Sequence, residues 1–571
     1  MKRLLQLGFW PLLPAFLFLL AGCSTQHYRR TADKEAYGVI ARKTPLVKNM
    51  DEHFSIEQTN QLSLDGLPVA AGIETALGPD GEAEREARVI SLEQALDISV
   101  HHSRIYQTQK EQLFLQALGL TLARHQFAPI FSAGGNGSYN VTALQPVDFA
   151  PDPNNPTNLI PVFKLAQEEN VSGSGRVSVS KLLGIGTRLS AAFTTDFLRF
   201  LTGDPRTMTS SELGATLIQP LWRGAGYKVT MENLTQAERN VLYALRDFTL
   251  FRKRFSVDVA TAYYGVLQNR DAVRNAYLNL QNSRKNAERT RALASEGRVA
   301  QADLGRLEQQ ELSAESAWIS AVRAYKQGLD NFKIQLGLTT DANIVLDDGD
   351  LQQLKIVHPE ISVEDSIRVA IATRLDYQNV RQQFEDAGRK IGVAANALKA
   401  QVDLVASGSI DSPQESATRL AVPDLDRYKW NAGLNLNLPL DRKAERNAYR
   451  GAFIAYEAAR RAFEQRADEI KLQVRDSWRA LDQAKRTYEI SEIGIRIAER
   501  RVEEQNLLAE LGRAKAQDQV DAENDLATSK NQLTQALVGH TIARLQFWNN
   551  MGILFIKDTG KWEEVANAKS E

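Results

Sequence analysis

The side chains that most often carry catalysis or bind metals are few in this chain and poorly spaced for either task. Its 571 residues include seven histidines and one cysteine. His101 and His102 are adjacent, and neighbouring residues of a helix point in different directions, so the pair does not predict a shared metal site. The segments "RGAG" and "GIG" lack the Lys-Ser/Thr pair that completes a phosphate-binding loop. We therefore predict that the protein is not an enzyme and holds no metal or cofactor.

The single cysteine, Cys23, ends an apolar N-terminal segment. Two basic residues precede the apolar run, which is the pattern of a secretory signal. Its end, "LAGC", resembles the lipobox of bacterial lipoproteins, in which the cysteine becomes the acylated first residue. An uncleaved membrane anchor is the alternative, and two prolines in a run barely long enough to span a bilayer disfavour it. We predict a signal peptide over 1–22 and a covalent lipid on Cys23, and Ser24 resembles the signal for sorting to the outer membrane.

The rest of the chain carries no pattern that suggests nucleic acid or a transmembrane helix. Its 69 basic and 70 acidic residues give a net charge of −1, and the two signs are interspersed, so we expect no nucleic-acid partner. No apolar run of about 18 residues follows the signal, so the mature chain is expected to contain no transmembrane helix.

The sequence repeats itself in two separate markers. "ISLEQALDISV" opens a helical pattern at residue 90, and "ISVEDSIRVAI" opens a similar one at residue 361. "ASEGRVAQADLGRLE" (294–308) likewise aligns without a gap with "AELGRAKAQDQVDAE" (509–523). Two markers repeated in the same order indicate an internal duplication.

This duplication predicts the domain organisation. Residues 23–89 show no sustained period and are expected to form a lipidated, extended arm or linker. The first repeat covers 90–350 and the second 361–555, and 556–571 form a C-terminal tail. In the first repeat we expect a helix over 90–128, strands within 130–219 and helices within 224–338. In the second we expect a helix over 361–400, strands within 401–438 and helices within 441–553.

Short alternating segments in each repeat predict strands of about 9–12 residues, the length of a tilted strand that crosses a bilayer. In "WNAGLNLNLPL" (430–440), Trp430 and three leucines share one face, and Asn and Gly occupy the other. We expect Trp430 at the membrane interface. Long loops rich in Pro, Asn and Asp, such as "QPVDFAPDPNNPTNLIP", alternate with a short turn, as in outer-membrane barrels. A soluble sandwich with one wet face is the alternative.

Very long helical patterns follow the strands. Apolar or small residues recur at spacings of three and four from Leu234 and again from Tyr456, which indicates coiled-coil seams. One such helix is about 105 Å long at about 1.5 Å per residue, matching two shorter helices placed end to end. The repeated Gly-Arg then marks the tip where each long helix turns back, because glycine accepts positive φ freely.

This order of elements resembles the TolC family of outer-membrane factors over about 90–555. The residues that carry the resemblance are the opener "ISLEQAL", the strand-to-helix joints "QPLWRGAG" and "LPLDRKAERN", and the two tips. The resemblance implies a mixed fold of α-helices and transmembrane β-strands, internally duplicated. Its long antiparallel coiled-coil helices accompany strands that join a trimeric outer-membrane β-barrel. This chain has six strand candidates, whereas the family uses four per protomer, so a trimer would have eighteen strands rather than twelve. Each repeat needs an even number of strands to return to the periplasm, and both four and six per chain satisfy this, so the two alternatives stay open.

The resemblance also implies functional residues. Gly297, Arg298, Gly512 and Arg513, at the hairpin tips, would lie in or near the contact with a periplasmic adaptor protein. Asp518 and Asp521 match acidic rings at the periplasmic aperture and would form a cation-attracting constriction. Alternatively they are carboxylates stabilised by the N-terminus of a helix. Ala300 and Lys515 replace the family's frequent Ser or Thr, so we expect no side-chain N-cap there.

The implied function is passive transport through a homotrimer in the outer membrane of a Gram-negative-type bacterium, with helices in the periplasm. The channel would be the exit duct of a tripartite efflux pump or of a type I secretion system, and an inner-membrane transporter would supply the energy. The alternative is a lipid-anchored coiled-coil tether or adhesin without a channel. Its sequence would carry heptads but no lipid-facing strands.

Overall fold

A computed structural model of the chain describes residues 24–57, 64–144, 147–153, 155–163, 166–202, 207–297, 299–413, 422–511, 513 and 515–563. The chain divides into two compact units. The first, here the helical unit, combines Met1–Ala117, Val241–Gln382 and Arg461–Glu571. The second, here the sheet unit, combines Leu118–Asn240 and Gln383–Arg460.

Two helices are far longer than the others described. The sequence predicted both, since their apolar residues recur at coiled-coil spacing. They contain 64 and 68 residues, about 96 and 102 Å at about 1.5 Å per residue. In chain order the helices are α1 (Thr25–Lys43), α2 (Leu92–His102), α3 (Arg104–His125), α4 (Tyr227–Thr230), α5 (Glu232–Ser295), α6 (Gln301–Leu336), α7 (Gly349–Gln352), α8 (Val363–Thr373), α9 (Leu375–Ala397), α10 (Lys443–Glu510) and α11 (Ala516–Met551).

The strands form one large sheet and two small ones. In chain order they are β1 (Arg88–Ile90), β2 (Ile130–Leu144), β3 (Val147–Asp152), β4 (Asn155–Phe163), β5 (Ala166–Leu182), β6 (Arg188–Phe200), β7 (Thr207–Pro220), β8 (Ile344–Leu346), β9 (Gln401–Asp411) and β10 (Tyr428–Asn437). The large sheet lies in the sheet unit and has six strands in the order β10-β9-β7-β6-β5-β2. Every neighbouring pair in it is antiparallel. The sequence predicts six strand candidates within 130–219 and 401–438, and the six strands of this sheet lie there to within one residue.

The duplication is visible in a matched helix break in each half of the helical unit. The sequence predicted one helix over 90–128 and one over 361–400, but each is interrupted by an extended residue, Ser103 or Arg374. A left-handed glycine that ends a returning helix approaches each break. A Cβ on Gly337 would overlap the carbonyl oxygen of His102, and one on Gly552 would lie 2.9 Å from Oγ1 of Thr373. Glycine is therefore required at both positions for conformation and for space.

The helical unit has an apolar core to which both halves contribute. Val257 and Ala260 of α5 pack with residues of α8, α10 and α11, and Trp548 and Met551 belong to the same cluster. Nearer the start of α5, the rings of Phe248, Phe251 and Phe255 contact Tyr106 of α3 in edge-on or tilted arrangements. Burial of such aromatic side chains dominates the energy of packing.

The terminal segments are more ordered than the sequence suggested. Residues 23–89 are not an extended arm throughout, because 25–43 form α1, which buries Ala36, Val39 and Ile40. Only these three apolar residues of the helix are buried, too few for a periodic pattern to reveal. The C-terminal tail is also partly fixed: Asn49 accepts from the Ile556 amide at 2.9 Å and donates to its carbonyl at 2.7 Å.

The prediction of a long loop before β5 was wrong in part. Its described residues form the hairpin β3–β4, a separate two-stranded sheet. Proline removes one backbone donor, so it is tolerated in such a ribbon, where each strand pairs on only one side. A second small sheet, the parallel pair β1–β8 in the helical unit, had no counterpart in the sequence reasoning.

Candidate functional site

One face of the six-stranded sheet is apolar except near the strand ends, where Lys181, Glu169 and Arg199 share it. Side chains alternate along a strand, so the register assigns each residue to a face. Trp430 and Leu434 of β10 are 75% and 68% exposed on this face, and none of the described segments covers them. The other members include Tyr428 and Leu436 of β10, Val402, Leu404 and Ile410 of β9, Leu213 and Leu217 of β7, Leu189, Phe193 and Phe197 of β6, Val171, Val177 and Val179 of β5, and Phe131, Tyr139 and Val141 of β2.

The opposite face carries short polar side chains that bond across the strands. The hydroxyls of Ser132 and Ser178 lie 2.7 Å apart, as do those of Ser138 and Ser172. Asn140 donates to the side-chain oxygen of Asn170 at 3.0 Å, and Ser174 bonds to Asn136. A soluble sandwich would pack its apolar face and wet its polar one. Here the apolar face is exposed over several strands, which soluble monomers rarely tolerate.

Charges of both signs lie on the polar face. Glu212 of β7 is the register partner of Asp411 in β9, and Lys429 forms an ion pair with Asp411 at 2.6 Å. Arg176 of β5 and Asp196 of β6 are on the same face. Since positive and negative groups alternate over a short distance, this face does not present a field of one sign.

The two hairpin tips lie in the helical unit. Gly297 follows α5 with φ of +76°, as predicted for a residue that reverses the chain. Arg513 is exposed, whereas Arg298 and Gly512 lie outside the described residues. Near the tips, Arg289 of α5 donates to the carbonyl of Ala509 in α10 at 3.5 Å. The two tips therefore lie at the same end of the unit.

The two candidate aperture residues occupy the start of α11. Asp518 is exposed in the first turn of the helix, and Asp521 accepts from Gln517 at 3.0 Å. Lys515 occupies the N-cap position without a side-chain capping bond, and so does Ala300 before α6. The position of Asp518 suits interaction with the helix dipole, while its role at an aperture stays a prediction.

A row of polar contacts that the sequence reasoning missed joins α5 to α11. Asn275 donates to Asn531 at 2.8 Å, Asn279 to Asn524 at 3.3 Å and Asn286 to Glu523 at 3.0 Å. Thr534 of α11 continues the row by donating to Asp271 at 2.7 Å. Burial raises the pKa of Glu523, although the bond from Asn286 opposes the shift. The spacing of four and seven between the α5 asparagines was the signal, since it places them on one helical face.

A second missed cluster fixes two loop segments to α5. Arg270 is buried and its guanidinium lies 3.1 Å from Glu84, which also accepts from the hydroxyl of Tyr325 at 2.6 Å. Arg274 pairs with Glu74 and with Asp348, each at 2.5 Å. Burial, with the charge of Glu84 in support, raises the pKa of Tyr325 far above its ordinary value. These side chains are far apart in sequence, so no local pattern could have paired them.

Among the described residues, no helix combines the length and apolar character needed to cross a membrane. The same residues contain no group of three or more His, Cys, Asp or Glu side chains placed to hold a metal ion.

Comparison with solved structures identifies the fold. The CmeC outer-membrane channel of Campylobacter jejuni matches with a TM-score of 0.59 and 13% identity, covering 90% of this chain and 96% of that one. The open MtrE outer-membrane channel of Neisseria gonorrhoeae matches with a TM-score of 0.57 and 13% identity, covering 88% of this chain and 98% of that one. The outer-membrane protein VceC of Vibrio cholerae matches at 0.56 and 13% identity, covering 81% and 96%. The chain has the fold of an outer-membrane channel.

No family model matches the sequence, and no curated protein matches it. The identification therefore rests on structure, and the fold that the TolC-family resemblance implied is confirmed. Trp430 lies on the apolar face of β10, an edge strand of the sheet, and its location at a membrane interface stays a prediction. Cys23 lies outside the described residues, so its lipidation stays a prediction.

Proposed function

We propose that the protein is the outer-membrane exit duct of a tripartite efflux pump or a type I secretion system. Three copies form a passive channel, and an inner-membrane transporter supplies the energy. The observation that carries this proposal is the exposed apolar face of a sheet whose other face is polar. In lipid, such a sheet places hydrocarbon outside and a wet lumen inside.

A stripe of exposed apolar residues on α10 supports the association of copies through the helices. Ile490, Ile493 and Ile497 follow the spacing of three and four, and Leu507 and Leu511 extend the stripe toward the tip. This spacing is that of a coiled-coil seam whose partner helix lies in another copy. A second copy of the chain is the partner that would bury the same stripe at every interface.

Three further parts of the proposal concern the hairpin tips, the aperture and the N-terminal anchor. The tips with Gly297, Arg298, Gly512 and Arg513 meet a periplasmic adaptor protein. Asp518 and Asp521 constrict the aperture. A lipid on Cys23 anchors each copy in the outer membrane.

The tether or adhesin alternative explains the long helices but not the sheet. A coiled-coil tether needs no strands with an exposed apolar face, and such a face in water would promote aggregation. The fold comparison also favours the channel, because the matched proteins are described as outer-membrane channels.

Single-channel recording in planar lipid bilayers tests the proposal. The purified protein should insert and conduct weakly, and Asp518→Ala combined with Asp521→Ala should increase the conductance several-fold by widening the aperture. Asp303→Ala is the matched control, because Asp303 holds the place of Asp518 in the first repeat, in the first turn of α6. If the carboxylates act only on helix dipoles, Asp518→Ala alone and Asp303→Ala should change the conductance equally, because each removes a carboxylate from the first turn of a helix. Protein that assembles but never conducts, with or without these changes, would contradict the proposal.

A further inference from the structure

The six-stranded sheet ends in two unpaired edges. Among the described residues, β2 pairs only with β5, and β10 pairs only with β9. The register of β2 with β5 is continuous over its 15 residues, without a bulge, and β2 contains no proline. Soluble proteins protect such edges with bulges, prolines or a covering segment. Long unprotected edges therefore indicate that each edge has a partner strand.

Lipid makes this requirement stricter. A strand in hydrocarbon must satisfy every backbone N–H and C=O group, so an open edge is not tolerated within a bilayer. The exposed apolar face places these strands in lipid under the proposed function. Because every neighbouring pair is antiparallel and six is even, β2 and β10 run in opposite directions. The two edges can thus pair antiparallel with each other in successive copies.

We propose that β2 of each copy pairs with β10 of the next, so that three copies close an 18-stranded barrel from six strands each. This inference rests on the trimer of the proposed function and adds the seam, the strand count and a size class for the cargo. The four strands that the first repeat contributes to the large sheet, β2, β5, β6 and β7, then all belong to the channel wall.

The strand count sets the width of the lumen. With about 4.8 Å between strands and a tilt of about 40°, eighteen strands give a backbone diameter of about 36 Å, and twelve would give about 24 Å. The short side chains of the polar face reduce these diameters to about 26 and 14 Å, allowing about 5 Å per wall. An α-helix with its side chains measures about 10–12 Å. Twelve strands would admit one helix, whereas eighteen admit two side by side.

The polar side chains that line the lumen suit a wide cargo that binds the wall only weakly. Serine, asparagine and threonine occupy most of the middle of the polar face, and its charges include both signs. The Asp411–Lys429 pair neutralises two of those charges locally. A lumen of this kind selects by size rather than by charge. The cargo class is accordingly a polypeptide with secondary structure, as wide as a helical hairpin.

Disulfide cross-linking of the full-length protein in outer membranes tests the seam. Cys23 is the only natural cysteine, so introduced pairs are read without interference from other thiols of the chain. Asn136→Cys in β2 is combined in turn with Asn431→Cys, Gly433→Cys or Asn435→Cys in β10, all on the polar face. One of these registers should give covalent dimers and trimers that a reductant returns to monomers. Thr194→Cys replaces Asn136→Cys as the control, because β6 already pairs on both sides.

The outcomes separate this inference from the proposed function. If β10 links to Thr194→Cys and never to β2, the wall uses fewer strands and the inference is wrong. Disulfide-linked monomers would mean that one chain closes on itself, which overturns it equally, as does the absence of any link in trimers that still assemble. If the trimers conduct and give any of these results, the proposed channel function stands and the 18-stranded barrel is wrong. As a second measurement, neutral polymers of about 8–10 Å radius added from the barrel side should enter the lumen and lower the conductance, whereas a lumen about 14 Å wide excludes them.

Discussion

A single charge placed on either face of β10 tests the orientation of the sheet. Leu434 and Asn435 are neighbours in sequence and lie on opposite faces, since Leu434 pairs in register with Leu404 and Asn435 with Asp403. Leu434→Arg places a guanidinium on the apolar face, and Asn435→Arg places the same group on the polar face. We expect the first variant to block membrane assembly and the second to be tolerated.

The magnitude follows from the lipid environment. An arginine on the lipid face of a barrel costs about 2–4 kcal/mol near the bilayer midplane and about 0–1 near the interfaces. Leu434 lies three residues from the end of β10 and four residues from Trp430, well inside the strand. Three copies would multiply the cost to about 6–12 kcal/mol per trimer, whereas a lumen-facing arginine keeps its hydration. The difference is comparable to the whole stability of a small domain.

The assay is the amount of heat-modifiable trimer in outer-membrane fractions, with total protein measured on the same samples. Leu434→Arg should reduce the trimer to a small fraction of the unchanged protein, and Asn435→Arg should leave most of it. Leu434→Ala controls for the loss of the side chain itself. The reverse ranking would place the lumen on the leucine face and refute the orientation, and equal tolerance of both arginines would remove these strands from the bilayer.

Three further predictions concern the helical unit. Gly337→Ala should lower the free energy of unfolding by more than about 1 kcal/mol, because φ is +87° and a backbone oxygen occupies the space that the Cβ would need. Gly305→Ala, in open space within α6, should raise the free energy of unfolding by about 0.5–1 kcal/mol. Thermal melts followed by circular dichroism compare the two variants. Arg270→Met should cost about 3–5 kcal/mol in urea unfolding, since it leaves the buried carboxylate of Glu84 without its cationic partner, and a cost under about 1 kcal/mol would mean that water already screens the cluster. Burial lowers the pKa of His540 from 6.5 to about 4, so between these pH values the unfolded chain binds more protons than the folded one. Stability therefore falls as the pH drops from 6.5 to about 4. His540→Leu should make the melting temperature less dependent on pH, as measured in melts at pH 7 and about pH 4.5.

Period and length in the sequence were enough to find the long helices and the six strands. These signals are local: a coiled-coil seam repeats every three or four residues, and a half-buried strand alternates. The helix breaks at Ser103 and Arg374 were not readable in this way. Each is fixed by a glycine about 180–230 residues away that enters the groove at the break, so the cause lies in tertiary structure rather than in propensity.

In the candidate site, too, the features that are encoded locally were predictable from the sequence and those that depend on distant residues were not. Alternation alone separated the apolar face of β10 from its polar face, because both faces are encoded within one strand. The order of the strands and the Ser and Asn bonds between them depend on pairing partners far apart in sequence, which no single segment encodes. The acidic pair at the start of α11 was found through repetition and family resemblance, and geometry by itself assigns Asp518 only a place in a first helical turn.

The strength of the contacts in the helical unit is unevenly distributed, and this bears on the function proposed for it. Around Val257 and Trp548 the two halves share an apolar core, where each buried large side chain contributes about 1.5–3 kcal/mol. Toward the tips the buried apolar side chains become smaller, such as Ala287 of α5 and Ala522 of α11, and the asparagine row joins the same two helices. Amides that separate there regain hydrogen bonds with water, so each pair costs only about 0.5–1.5 kcal/mol to part. The hairpins are thus joined firmly at the core and weakly near their tips, which is the arrangement that a duct closed at its tips needs in order to open without unfolding.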